Sequence, residues 1–460
     1  MRNTVRRLWV LRGFVFLCAL LAVSCASIEE WLTGNEWRSP RVVKVTGVKQ
    51  ICNWPPQSCS TTSTGRPAGV LARDGDMFFV EKGLFIYRDI DGESLAIEGG
   101  DVVLLNGKAV SVLLDDRGAG WEWLRKASAG DLASLRLLAV DAKKETVDFS
   151  VLQKVAQIRP DLGLYLPSEP SEETDRIVRL LTLFEPRFLE IDLGLLSARF
   201  SVLEPRLTKL ETLSTNGEGS LDFLPRLPRL RALWLGKRFR DASAEIPSGV
   251  RKLRSVTILG GEKVEDLSFL RNLRGLQELL LFLDFSDLKD ITALGGFPEL
   301  KRLAISADSK NALGHSNLER FTKLAWLSFP RDTSQETFAK VIASHPDLEI
   351  IELGSKHIRD LSPLQSLRHP RAVILSLKGA DLAPLHQLKS LEYLGLDKGD
   401  FEGDAAKRTE ALEKALPSTF VAQAGPLCLG SGWILLLLPV MFLFRSLWSR
   451  GQSLGTEAHA

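Results

Sequence analysis

The chain is poor in the residues that carry chemistry or cross-links. Five cysteines in 460 residues are too few for a scaffold held together by disulfides. Six scattered histidines without close His/Cys spacing offer no zinc signature. Neither is there an excess of one charge: 59 Lys and Arg against 57 Asp and Glu leave +2, so the chain lacks the electrostatic footprint of a phosphate-backbone binder and nucleic acid is set aside as a partner. There is no phosphate loop, no His-Glu-x-x-His and no dinucleotide fingerprint. Gly314-His315-Ser316-Asn317-Leu318 stops one glycine short of a nucleophile elbow. No catalytic, cofactor-binding or metal-ligating residue is therefore assigned, and the chain reads as a non-enzyme. What the composition does support, with 45% hydrophobic and 25% charged residues, is a packed core of one large or two ordinary units.

Long apolar runs are confined to the two ends. Arg2, Arg6, Arg7 and Arg12 precede an apolar stretch from Gly13 to Val23 and the small residues Ser24, Cys25, Ala26 and Ser27, the layout of a secretory signal over 1–26. Three fates fit it: cleavage after Ala26, lipid attachment at Cys25, or retention as an anchor from about Leu8 to Ile28. Near the other end, Pro426 to Phe444 carries no charge and is followed by Arg445 and Arg450. A helix of about 20 apolar residues spans the roughly 30 Å hydrocarbon core. The positive-inside rule then makes 445–460 a short cytoplasmic tail and places residues 27–425 outside. In that oxidising compartment Cys52 and Cys59, within the linker 27–66, are expected to close a small disulfide loop worth about 2 kcal/mol.

The middle of the chain repeats. Apolar triplets at places 0, +3 and +5 recur as Leu210-Leu213-Thr215, Leu230-Leu233-Leu235, Leu253-Val256-Ile258, Leu276-Leu279-Leu281, Leu300-Leu303-Ile305, Leu324-Leu327-Phe329, Leu348-Ile351-Leu353, Ala372-Leu375-Leu377 and Leu391-Leu394-Leu396. Phe188-Ile191-Leu193, Leu164-Leu166 and Leu135-Leu138-Val140 extend the series backward. A fixed period of 20 to 24 residues signals a solenoid, in which each unit buries its apolar face only against its neighbours. Connectors such as Asp360-Leu361-Ser362-Pro363-Leu364 and Asp381-Leu382-Ala383-Pro384-Leu385 sharpen the pattern. The stretch from Asp131 to about Ala424 resembles the leucine-rich repeat family, in its short internalin-type bacterial form. The family's asparagine at +8 is absent, those places holding Glu218, Arg238, Gly261 and Asp284 among others.

Residues 67–130 differ, with short alternating runs and turn signals at Asp91-Gly92 and Asn106-Gly107, and read as a small β-rich module. The fold expected is thus α/β: a leucine-rich repeat solenoid over 131–425 with a C-terminal cap, preceded by that module, with a signal or anchor at the start and a transmembrane helix at 426–444.

The resemblance implies an open concave face that serves as the docking surface. It would display Trp234, Leu280, Phe282, Trp326, Ile350, Ile374 and Tyr393, with Arg231, Arg302, Glu278, Glu349 and Glu352 around them. Aromatics beside charges are the composition of interface hot spots. The same two tryptophans could equally pack on neighbouring repeats or on the N-terminal module. The leading expectation is a membrane-anchored extracytoplasmic protein that binds another protein through this face, without cofactors. A carbohydrate- or envelope-binding tether is the alternative, and an enzyme carried by residues 40–130 is a third reading without a motif behind it.

Overall fold

Alternation decides where the chain extends. The computed structural model describes residues 39–54, 59–61, 68–80, 83–88, 94–115, 118–140, 147–166, 174–236, 246–259 apart from 248 and 251, 268–282, 297–306, 318, 321–397 apart from 378, and 405–424. The signal with Cys25, the span over 426–444, the tail and the Asp91-Gly92 turn lie outside the described residues. Arg41–Ala460 forms one compact unit, and of Met1–Pro40 only Ser39 and Pro40 are described. Among the described residues no helix is long and apolar enough to cross a membrane.

The module comprises strands β1 (Arg41–Thr46), β2 (Gln50–Trp54), β3 (Cys59–Thr61), β4 (Ala68–Ala72), β5 (Met77–Val80), β6 (Gly83–Ile86), β7 (Ser94–Glu98), β8 (Val102–Leu105) and β9 (Lys108–Leu114). β1 pairs antiparallel with β4 and parallel with β7, while β2 joins β3 and β5, and β5 joins β6. Its own core includes Val43, Val45, Ile51, Phe78, Phe85, Leu95 and Ile97. The described part of the segment expected as a linker is folded, β1, β2 and β3 belonging to the module. β8 and β9 form a hairpin through Asn106 and Gly107, whose φ values of 50° and 75° are those a two-residue I′ turn needs.

β9 is also the first strand of the solenoid. It pairs parallel with β10 (Leu137–Val140), so the solenoid sheet begins at Lys108 and not at 131. The parallel run continues through β11 (Gly163–Tyr165), β12 (Phe188–Asp192), β13 (Thr212–Asn216), β14 (Ala232–Leu235), β15 (Ser255–Leu259), β16 (Glu278–Phe282), β17 (Arg302–Ser306), β18 (Trp326–Phe329), β19 (Ile350–Leu353), β20 (Ala372–Leu375), β21 (Tyr393–Asp397) and β22 (Phe420–Ala424). From β12 to β20 a carbonyl at the +1 place of the turn serves two N–H groups of the next: Arg187 O accepts from Glu211 at 2.8 Å and Thr212 at 3.0 Å, and Glu349 O from Arg371 at 2.7 Å and Ala372 at 3.0 Å.

The +3 places form one buried column, Leu213, Leu233, Val256, Leu279, Leu303, Leu327, Ile351, Val373 and Leu394. Each such side chain contributes about 1.5–3 kcal/mol by leaving water. Two of the expected triplets are displaced. Register aligns Ile351 with Val373 and Leu213 with Leu189, so the 0 places belong to the buried Pro370 and Pro186, and Ala372 and Phe188 sit at +2, on the opposite face.

The connectors of the early turns are helical: α1 (Ala119–Lys126), α2 (Ala129–Ser134), α3 (Phe149–Ile158), α4 (Thr174–Leu181) and α5 (Leu193–Leu203). Asp148 and Asp192 cap the N-termini of α3 and α5. Later comes α6 (Gln335–Ser344), capped by Ser334, and then α7 (Ala405–Ala415) before the closing strand. Where the connector reads Asp-Leu-x-Pro-Leu it is a short 3-10 turn. Asp360 accepts the Ser362 N–H at 2.8 Å and Asp381 that of Ala383 at 2.9 Å, which is why an acid recurs there.

A concave face covered by the chain's own module

Because side chains alternate along a strand, the +2 and +4 places of every turn point away from the leucine core. Along the array these are Phe188 and Glu190, Thr212 and Ser214, Ala232 and Trp234, Ser255 and Thr257, Glu278 and Leu280, Arg302 and Ala304, Trp326 and Ser328, Ile350 and Glu352, Ala372 and Ile374, and Tyr393 and Gly395. The expectation of an open face does not hold. Trp234 is 8% and Trp326 3% exposed, and Leu280, Arg302, Ile350, Glu352 and Tyr393 are all buried, with Phe282 half-buried.

The cover is the N-terminal module. Met77, Leu84 and Ile86 from β5 and β6 pack with Leu137, Ala139, Phe188 and Trp234 in one apolar cluster. Phe188 meets Trp234 edge to face, with ring centres 5.8 Å apart. At the far end the Tyr393 hydroxyl donates to Gly69 O at 3.1 Å, and its ring stacks on Phe420. A side chain at position 69 would run into the Phe420 ring, so glycine permits this approach. Ala424 of β22 bridges to Ser60 of β3. The module thus pairs with the first strand of the solenoid sheet through β8 and meets the last at the single bridge from Ser60.

Between these apolar ends lies a buried charged cluster. Arg73, just after β4, forms a two-pronged pair with Glu278 and also meets Asp76 at 3.4 Å. Ser255 donates to the same Glu278 carboxylate at 3.2 Å. The Arg302 guanidinium lies 3.5 Å over the Trp326 ring, and Trp326 Nε1 donates to Glu352 Oε1 at 2.6 Å. Burial pushes the Glu278 carboxyl up, but Arg73 and Arg302 outweigh it and the group is held below its usual range. Burial pushes Glu352 up, and Arg302 and Trp326 recover only part of that. Arg302 is drawn down to about 10, by burial first and by Arg73 second.

Among the described residues no cation pairs with Glu190, on β12. Burial raises it to about 7, although Ser214 donates to it at 3.1 Å and Asn216 at 3.4 Å.

Sequence reasoning singled out the solenoid half of this arrangement and missed the module half. Arg73, Met77, Leu84 and Ile86 carry no motif, and nothing local in the sequence shows that they meet residues more than 100 positions away. Cys52 lies directly across from Cys59 in the β2–β3 pair. Among the described residues there is no group of three or more His, Cys, Asp or Glu able to hold a metal.

No family model matches the chain, and no curated protein matches it. Among solved structures the chain is similar to an internalin of Listeria monocytogenes (18% identity, 64% of this chain and 82% of that one, TM-score 0.38). It is also similar to an internalin C2 of the same organism (21% identity, 42% and 83%, TM-score 0.31) and to a leucine-rich repeat protein of Leptospira interrogans (18% identity, 64% and 73%, TM-score 0.37). The parallel register from β9 to β22, with aliphatic side chains in the inward column, makes the described part of that stretch a parallel solenoid.

Proposed function

We propose that the chain is a membrane-anchored, extracytoplasmic interaction scaffold, without catalysis of its own, whose concave face is filled by its own module and whose partner, another protein, docks on the outer surface of that module. The observation that carries this is the internal pairing of the expected hot-spot residues. Glu278 is taken by Arg73 and Trp326 by Arg302 and Glu352, so a partner would have to break those contacts before making its own. The module's outer strand β7 exposes Ser94, Ala96 and Glu98 to solvent instead. Anchoring through 426–444 and export by the first 26 residues are supported by the sequence, as is lipid attachment at Cys25. An extracytoplasmic site also agrees with a Cys52–Cys59 bond, supported by the strand register and by Cys52 being disulfide-bonded.

The test is photo-crosslinking in intact cells, with a photoreactive amino acid placed at Ala96, at Trp326, or at the solvent-exposed Lys340 on α6. The expected result is one protein adduct from position 96. Adducts from position 326 alone would mean that the module swings away and the concave face docks the partner. Failure of all three positions to capture protein would remove the scaffold reading.

A further inference from the structure

Where the module meets the first turns of the solenoid, a cleft of about 420 Å3 opens on the flank. Its charged lining is Arg88, Lys108, Arg136, Arg159 and Arg187, with one carboxylate, Asp161. The cations arrive from separate elements: Arg88 follows β6, Lys108 opens β9, Arg136 and Arg187 precede β10 and β12, and Arg159 follows α3. Such convergence is not a by-product of the repeat period, which places only Arg136 and Arg187 at equivalent positions.

The guanidiniums are held in place. Glu211 accepts from Arg88 at 3.0 Å through one oxygen, and from Arg187 at 2.8 and 3.0 Å through the other. Arg159 donates to Asp161 at 3.2 Å and to the Ala133 carbonyl at 2.6 Å. Among the described residues, counting Glu211 with Asp161, two carboxylates face five cations. Like charges held together in a confined cleft repel. Planar guanidinium forks match oxyanions bidentately, and the volume lies in the range of small-molecule sites rather than of a single ion. Gly163 lies in the cleft wall, where a Cβ would come within 3.2 Å of Leu137, Ile86 and Phe188.

We infer that this cleft binds a small polyvalent oxyanion, a ligand carrying two or more phosphate or carboxylate groups, with Lys108 and the four arginines as its counter-charges. Asn106 of the lining accepts the Ala96 N–H of β7 at 2.9 Å, so the cleft adjoins that strand, but the inference does not rest on the partner proposed above.

Isothermal titration of the full-length protein in detergent, at constant ionic strength, tests it, with pyrophosphate in one arm and citrate in the other. The arm that saturates at one equivalent identifies phosphate or carboxylate as the recognised group. Lys108 is exposed at the hairpin, so Lys108→Glu should leave thermal unfolding unchanged and weaken the saturating anion about tenfold or more, the cost of losing a charge-assisted contact. Lys340→Glu, on remote α6, should leave the affinity as it is. Absence of saturable binding in both arms, equal affinity in Lys108→Glu, or an equal loss in Lys340→Glu would each overturn the inference.

Discussion

Three glutamates on one face, Glu190 and Glu352 buried and Glu278 half-buried, differ in what neutralises them. Glu278 has Arg73 and Arg302 and is held ionised. Glu352 has Arg302 and the Trp326 N–H, and burial still lifts it. Glu190 has only the neutral donors Ser214 and Asn216, and burial carries it from 4.5 to about 7. That gap corresponds to about 3 kcal/mol of linkage. The folded-state value is the raised one, so the favourable state is protonated. Its contribution is fully present below about pH 4.5, falls as the unfolded carboxyl ionises first, and is lost by about pH 7. Glu190→Gln removes the ionisation and can keep both hydrogen bonds. The variant is expected to match the parent near pH 4.5 and to exceed it by about 2–3 kcal/mol at pH 8, read by urea denaturation at both values. An unchanged difference between the two pH values would show that Glu190 ionises without cost.

At the scale of elements, the proposed Cys52–Cys59 bond across the β2–β3 pair makes a direct prediction. Reduction, or Cys52→Ser, should lower unfolding stability by about 2 kcal/mol, the entropy of a loop this short. Denaturation with and without reductant measures it, and an unaffected midpoint would mean that the pairing contributes nothing. The two cysteines, the Asn106-Gly107 turn and most inward triplets were legible in the sequence because each is a local signal. The two displaced triplets were not, since Pro186 and Pro370 occupy places where an aliphatic residue is looked for. A slip of two residues preserves the inward and outward alternation of a strand, so the pattern offers no internal warning. Its consequence is large for Phe188, which the triplet places in the leucine core and the register places against Trp234. The covered face was legible only as one of two readings, since the sequence also allowed Trp234 and Trp326 to pack on the module. Buried aromatics and paired charges have the same composition whether the second surface belongs to a partner or to the same chain.

For the whole molecule, the decisive contact is the one that joins two differently built parts. The turns of the solenoid are stabilised by their immediate neighbours, whereas the module is held across the face by an apolar cluster at one end, Tyr393 at the other and Arg73 between them. Arg73→Ala would leave Glu278, its side chain only 12% exposed even with Arg73 in place, with its principal counter-charge gone. Such a loss costs about 3–5 kcal/mol, and it should fall unevenly: amide exchange of β5 and β6 should quicken, while β18 to β20, secured by their own repeats, should keep their protection. Arg73→Ala combined with Glu278→Ala should be less damaging than Arg73→Ala alone, because the stranded charge is then absent. Hydrogen exchange by mass spectrometry and a double-mutant cycle read both effects. Uniform loss of protection along all the turns would mean that the module and the solenoid unfold as a single cooperative body. The covered face would then be a core of the molecule rather than a closable surface.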